Sequence, residues 1–211
     1  MTSKAERRFR ANLLEWGEEN RREYPWRELN RTLYEVFVAE FFLTQTPADN
    51  VAAVYPVFLE RFPTLDAIAE ASEDELVEVI EPLGFQNMRA GALKQIASAH
   101  DRLPTGPEPL MELPRVGRYV ANATFCFARG DRLPILDRNV ERVYSRVFRD
   151  AWPEAEADQL TFTQRLMPDK ARPYNLALLD FGALVCQTEP LCEQCFANEY
   201  CVYYQESTRR S

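Results

Sequence analysis

The chain has 211 residues, 46% of them hydrophobic and 27% charged, with a formal net charge of -8. That is enough apolar material for one large or two small domains with a core, and it excludes a fibrous or disordered chain. No apolar run approaches the ~20 residues of a membrane span, and MTSKAERRFRAN lacks the apolar centre of a signal peptide; the expectation is a cytoplasmic protein with no membrane partner.

Helical periodicity dominates and no alternating strand pattern is evident, which predicts an all-α fold. Residues 4 to 20 suit an amphipathic helix with Phe9, Leu13, Leu14 and Trp16 on or near one face, broken by Pro25-Trp26-Arg27. A more apolar helix is predicted from Leu33 to Gln45, and another from Val51 to Phe62. Ser72-Glu73-Asp74-Glu75 reads as a capping box opening a short helix that stops before Pro82 and Gly84. Residues 88 to 100 form the next helix, and Thr105-Gly106-Pro107 a loop.

The stretch LPRVGRYVANATFCFARGDRLPILD, from Leu113 to Asp137, organises the chain. A turn at Pro114 and Gly117 leads into an apolar helix from Tyr119 to Ala128. Gly117 at the mouth of that helix leaves backbone N–H groups and the positive helix end available to a phosphate. From Leu113 to Arg149 eight arginines face Asp131, Asp137 and Glu141, a local balance of +5 that leaves -13 on the remainder. Such a stripe is either a phosphate footprint or a set of ordinary solvated helix faces. Helices at about 139 to 149, 155 to 167 and 173 to 186 follow.

Four of the five cysteines then crowd together as C-x5-C-x2-C-x5-C: Cys186, Cys192, Cys195 and Cys201. In a reducing compartment this density reads as a metal site, and four thiolates suit either structural zinc or a [4Fe–4S] cluster. Cys126, inside an apolar helix, reads as a small buried hydrophobe. The only histidine, His100, sits at a helix end and is given no catalytic role.

With these pieces in order, the chain resembles the endonuclease III superfamily of helix-hairpin-helix DNA glycosylases over nearly its whole length. The segments that carry the resemblance are YPWRELNRTLYEVFVAEFFLTQT, LPRVGRYVANA, PILDRNVERVYSR and NLALLDFGALVC. The resemblance implies an all-α, two-lobed fold with a helical lobe over 30–135, its hairpin near 107–129, and a second lobe from 1–29 with 136–185. It further implies a [4Fe–4S] cluster in the loop 186–201, a tail over 202–211, and a cleft between lobes that holds Asp137. The implied partner is double-stranded DNA bearing a mismatched or damaged base, bound by a monomer.

A base inside a duplex cannot be attacked, so such an enzyme extrudes the nucleotide into a pocket. Breaking the N-glycosidic bond develops positive charge on the sugar, which a carboxylate at Asp137 would stabilise or trap; Asp137 also reads as an N-cap. Glu40 lies within apolar VFVAEFFL, where burial favours a protonated carboxyl; by resemblance it protonates the leaving base or positions water. Tyr119 stands where strand-cutting members carry a Schiff-base lysine, which implies a monofunctional enzyme. Gln45 matches the side chain that fills the vacated stack, and Arg115, Val116, Gly117 and Arg118 match the phosphate-binding hairpin. Tyr24, Trp26 and Phe41 read as pocket, DNA contact or core.

Within the superfamily the chain is most similar to thymine/uracil glycosylases acting opposite guanine. Adenine-mismatch glycosylases, on A:G or A:8-oxoguanine pairs, come second. The latter continue into a further domain, and the end at Ser211 therefore favours the pyrimidine substrate. A non-catalytic DNA-binding module and a base-excising defence enzyme complete the alternatives. Three departures stand out: a first cysteine gap of five residues where the family has six, the acidic Glu189 in that loop, and Arg115 at a hairpin position usually filled by glycine.

Overall fold

The computed structural model describes residues 3–209, and among these the regular structure is helical, with no strand. In chain order the α-helices are α1 (Lys4–Asn20), α2 (Leu33–Leu43), α3 (Ala48–Arg61), α4 (Leu65–Glu70), α5 (Glu73–Ile80) and α6 (Gln86–Ala99). They continue with α7 (Pro107–Met111), α8 (Arg118–Arg129), α9 (Arg138–Val147), α10 (Glu156–Leu166), α11 (Ala171–Leu184) and α12 (Val202–Arg209). The chain divides into two compact units, one of Glu23–Arg129 and one of Met1–Arg22 with Gly130–Ser211. No helix among the described residues is long and apolar enough to cross a membrane.

The unit Glu23–Arg129 is built around α2. Its sequence, LYEVFVAEFFL, is apolar on every face, and Val36 to Phe42 are all buried, as expected of a helix enclosed by others. It packs on α8 and α3, with Phe42 edge-on to Phe58 at 4.9 Å. Thr32 and Glu35 form a reciprocal capping box at its start, and Ser72 with Glu75 does the same for α5. Two helices here differ from the sequence expectation. Residues 65 to 70 form α4, and Pro107 opens α7 instead of lying in a loop, because proline's fixed φ and missing N–H suit a first helical position.

The unit containing both termini is organised by α1 lying along α11. Gly17 permits the close approach: a Cβ added there would stand 2.5 Å from that of Ala177. Phe9 sits at the centre of an aromatic cluster with Phe148 at 5.3 Å, Phe196 at 5.7 Å and Tyr144 at 6.1 Å. Asp180, fully buried on α11, accepts from the backbone N–H of Arg22 at 3.0 Å and from its Nε at 2.7 Å. The segment after Cys201, expected as a tail, forms α12.

Candidate functional site

In the unit Glu23–Arg129 the last turn of α2 releases its carbonyls into the turn Thr44-Gln45-Thr46. Helix α2 ends at Leu43, short of the predicted Gln45, and Gln45 itself adopts φ 59. Across from it, α7 and α8 are joined by a tight turn in which the N–H of Val116 donates to the carbonyl of Leu113 at 3.1 Å. Arg115, at the position the resemblance assigns to glycine, takes φ 62. Residues 44–45 and 115–117 come together there: Gln45, Arg115, Val116 and Gly117 line one cavity with Phe41, Phe85 and Met88. Arg118 opens α8 beside it and is exposed. The first turn of α8 carries N–H groups that have no acceptor within the helix, next to the exposed Gly117.

Glu40 and Tyr119 are not among the residues that line this cavity. Glu40 is 1% exposed within α2, and Tyr119 is half-buried in the first turn of α8. Trp26 and Phe41 belong to the core, and Tyr24 stacks face to face on Trp26 at 4.7 Å.

Sequence reasoning passed over Arg89. On α6 it is 5% exposed and shares the buried face with Leu93 and Ile96, a periodicity that could have found it. Its guanidinium donates to the carbonyls of Phe41 and Phe42, each at 3.0 Å, of Thr44 at 2.7 Å and of Gly84 at 3.1 Å, and to Thr46 Oγ1 at 2.8 Å. Burial, with the charge of Arg115 nearby, holds its pKa below the usual arginine value.

In the other unit Asp137 is the N-cap of α9. Its Oδ1 accepts from the N–H of Val140 at 2.8 Å and its Oδ2 from Asn139 Nδ2 at 3.1 Å. Asn139 Oδ1 in turn accepts from Arg142, which also donates to the carbonyls of Gly182 and Cys186 at 2.9 and 2.8 Å. The carboxylate is thus oriented by a row of side chains leading to the first cysteine.

Cys186, Cys192, Cys195 and Cys201 all line one cavity, walled by Val147, Phe181 and Val185. Among the described residues no three His, Cys, Asp or Glu side chains converge as a site for a single metal ion. Burial pushes the Cys195 thiol up to about 11, with the other three cysteines adding to the shift, and raises Cys192 and Cys201 as well. Arg146 closes the five-residue loop: it donates to Cys186 Sγ at 3.6 Å, to the carbonyl of Gln187 and to that of Thr188 at 2.9 Å.

The arginine stripe resolves into two groups. Arg129, Arg132, Arg142 and Arg146 donate to backbone carbonyls and Arg149 pairs with Glu206, whereas the exposed Arg115, Arg118 and Arg138 stand outside these bonds; Arg129, Arg132 and Arg149 are exposed too.

Comparison with known proteins agrees with the hairpin and its surroundings. Residues 38–166 match the family model described as HhH-GPD superfamily base excision DNA repair protein. The chain is 35% identical over 213 residues to a thymine-DNA glycosylase of Aeropyrum pernix, spanning 93% of this chain and 94% of the relative. It is 37% identical over 199 residues to an adenine DNA glycosylase of Mycobacterium tuberculosis, spanning 87% of this chain and 64% of that one. The solved structure of a thermostable thymine-DNA glycosylase superposes with a TM-score of 0.91 at 29% identity, over 96% of this chain and 98% of the other. The chain belongs to the HhH-GPD superfamily of base excision DNA repair proteins, a family of DNA glycosylases.

Proposed function

We propose that this protein is a monofunctional DNA glycosylase that removes thymine or uracil opposite guanine from duplex DNA, acting as a monomer. The observation that carries the reading is the convergence of Gln45 with Arg115, Val116 and Gly117 around one cavity. A helix-hairpin turn with exposed N–H groups suits a backbone phosphate, and an exposed Gln45 beside it suits the gap left by an extruded base.

Asp137 stabilises the positive charge that develops on the sugar as the glycosidic bond breaks. Both of its oxygens already accept hydrogen bonds, which fixes the carboxylate before substrate arrives. Glu40, in its apolar helix, protonates the departing base or orients the attacking water. Tyr119 shapes the pocket and offers no amine, so the product is an intact abasic site.

Cys186, Cys192, Cys195 and Cys201 hold a [4Fe–4S] cluster. Four thiols lining one apolar cavity are the donor set that such a cluster takes. The cluster orders the loop 186–201; bond cleavage is left to the side chains.

The test is incubation of the purified protein with end-labelled duplexes carrying T:G, U:G, A:G and A:8-oxoguanine pairs, resolved with and without alkali. Alkali-dependent cleavage at thymine or uracil is expected. Cleavage at adenine alone would transfer the enzyme to the adenine reading, which the 37% identity to the mycobacterial adenine glycosylase favours. Cleavage of fully paired, unmodified duplex would mark a defence enzyme, and binding without cleavage a DNA-binding module.

A further inference from the structure

The three non-glycine residues with positive φ among the described residues are Gln45 at 59°, Phe85 at 52° and Arg115 at 62°. All three line the same cavity. A left-handed backbone is unfavourable for an ordinary L-residue, so three in one place require something that holds them. Two of the three flank atoms gripped by one side chain. The Arg89 guanidinium has five N–H donors, and its five bonds run to the end of α2 and Thr44 just before Gln45, to Thr46 just after it, and to Gly84 just before Phe85. Thr46 Oγ1 completes the link by donating to the carbonyl of Leu83 at 3.1 Å. These five bonds go to four backbone carbonyls and a hydroxyl; the charge is met by the negative end of α2.

We infer that Arg89 is a positioning residue for base extrusion: it clamps the 44–46 and 84–85 turns together so that Gln45 is presented to the duplex already in its inserting backbone conformation. The inference rests on the glycosylase reading above and adds the residue that sets the geometry of the Gln45 wedge. A lysine cannot replace the fork, because a point ammonium has three donors and no planar spread.

The experiment follows extrusion separately from chemistry, using a T:G duplex with 2-aminopurine next to the thymine, at a temperature well below the unfolding of every variant. Arg89→Lys is expected to slow the fluorescence rise by about tenfold or more, the scale of a small misplacement of a working group. Thr46→Val, which removes one strand of the clamp and leaves the cation satisfied elsewhere, is expected to slow it less. Neither loss should add to that of Gln45→Ala, since all three remove the same insertion. An unchanged extrusion rate in Arg89→Lys, or losses that multiply with Gln45→Ala, would overturn the inference. Should Arg89→Lys not fold, Thr46→Val decides by the same criteria. If the unsubstituted chain neither extrudes nor excises from any mispair, the glycosylase reading itself falls, and that result is seen before any variant is compared.

Discussion

Asp137 spends its two oxygens on two tasks, and a single substitution separates them. Oδ1 caps α9 through the N–H of Val140, and Oδ2 accepts from Asn139. Asparagine caps a helix about as well as aspartate, so Asp137→Asn keeps the Val140 bond and removes the charge together with the oxygen that accepts from Asn139. Excision should fall by about 10²–10³-fold, the usual loss when charge stabilisation of a transition state is removed. The melting temperature should move by no more than about 2 °C. Asp137→Ala loses the cap as well, at a further cost of about 1 kcal/mol. Single-turnover excision and thermal denaturation of the two variants check this; an Asn variant that excises at the native rate would remove Asp137 from the chemistry.

At the scale of the elements, the contact between α1 and α11 is the most demanding. Gly17→Ala would set a methyl 2.5 Å from the Ala177 Cβ, and both are helical, so one helix must shift. Overpacking of this kind costs about 1–3 kcal/mol. For a chain of this size that corresponds to a fall in melting temperature of roughly 2–4 °C per kcal/mol, read by calorimetry. An unchanged melting temperature would mean the interface is looser than its geometry. The periodicity that marks α1 is fully legible in the sequence: its predicted span of 4 to 20 and its observed span agree. So is the Ser72 capping box. Helices α4, α7 and α12 were not legible, being five to eight residues long, and such segments owe their stability to what they pack against. The site was legible in the same uneven way. Gln45 and the 115–118 turn carry local motif signals, whereas Arg89 works through three carbonyls and a hydroxyl 43 to 48 residues away, a relation that side-chain identity alone does not express.

Across the whole molecule, cations are few relative to the acidic residues and many are already committed. Of the eight arginines between Leu113 and Arg149, five are bonded internally; Arg115, Arg118 and Arg138 are exposed and outside those bonds, and Arg129, Arg132 and Arg149 are exposed as well. The lysines are scarcer still, and their disposition bears on the reaction type. Lys94 Nζ donates to the carbonyls of Ile68, Ala69 and Ala71 and so closes the end of α4. Lys4 lies in the first turn of α1 and Lys170 is the N-cap position of α11, both exposed. A Schiff base needs a free amine held beside the sugar, and the hairpin helix offers Tyr119 in its first turn instead. Borohydride added during turnover on a T:G duplex should therefore trap no covalent protein–DNA adduct, and strand scission should appear only after alkali. A trapped adduct, with nicking at neutral pH, would show that one of these amines reaches the abasic sugar and would end the monofunctional assignment.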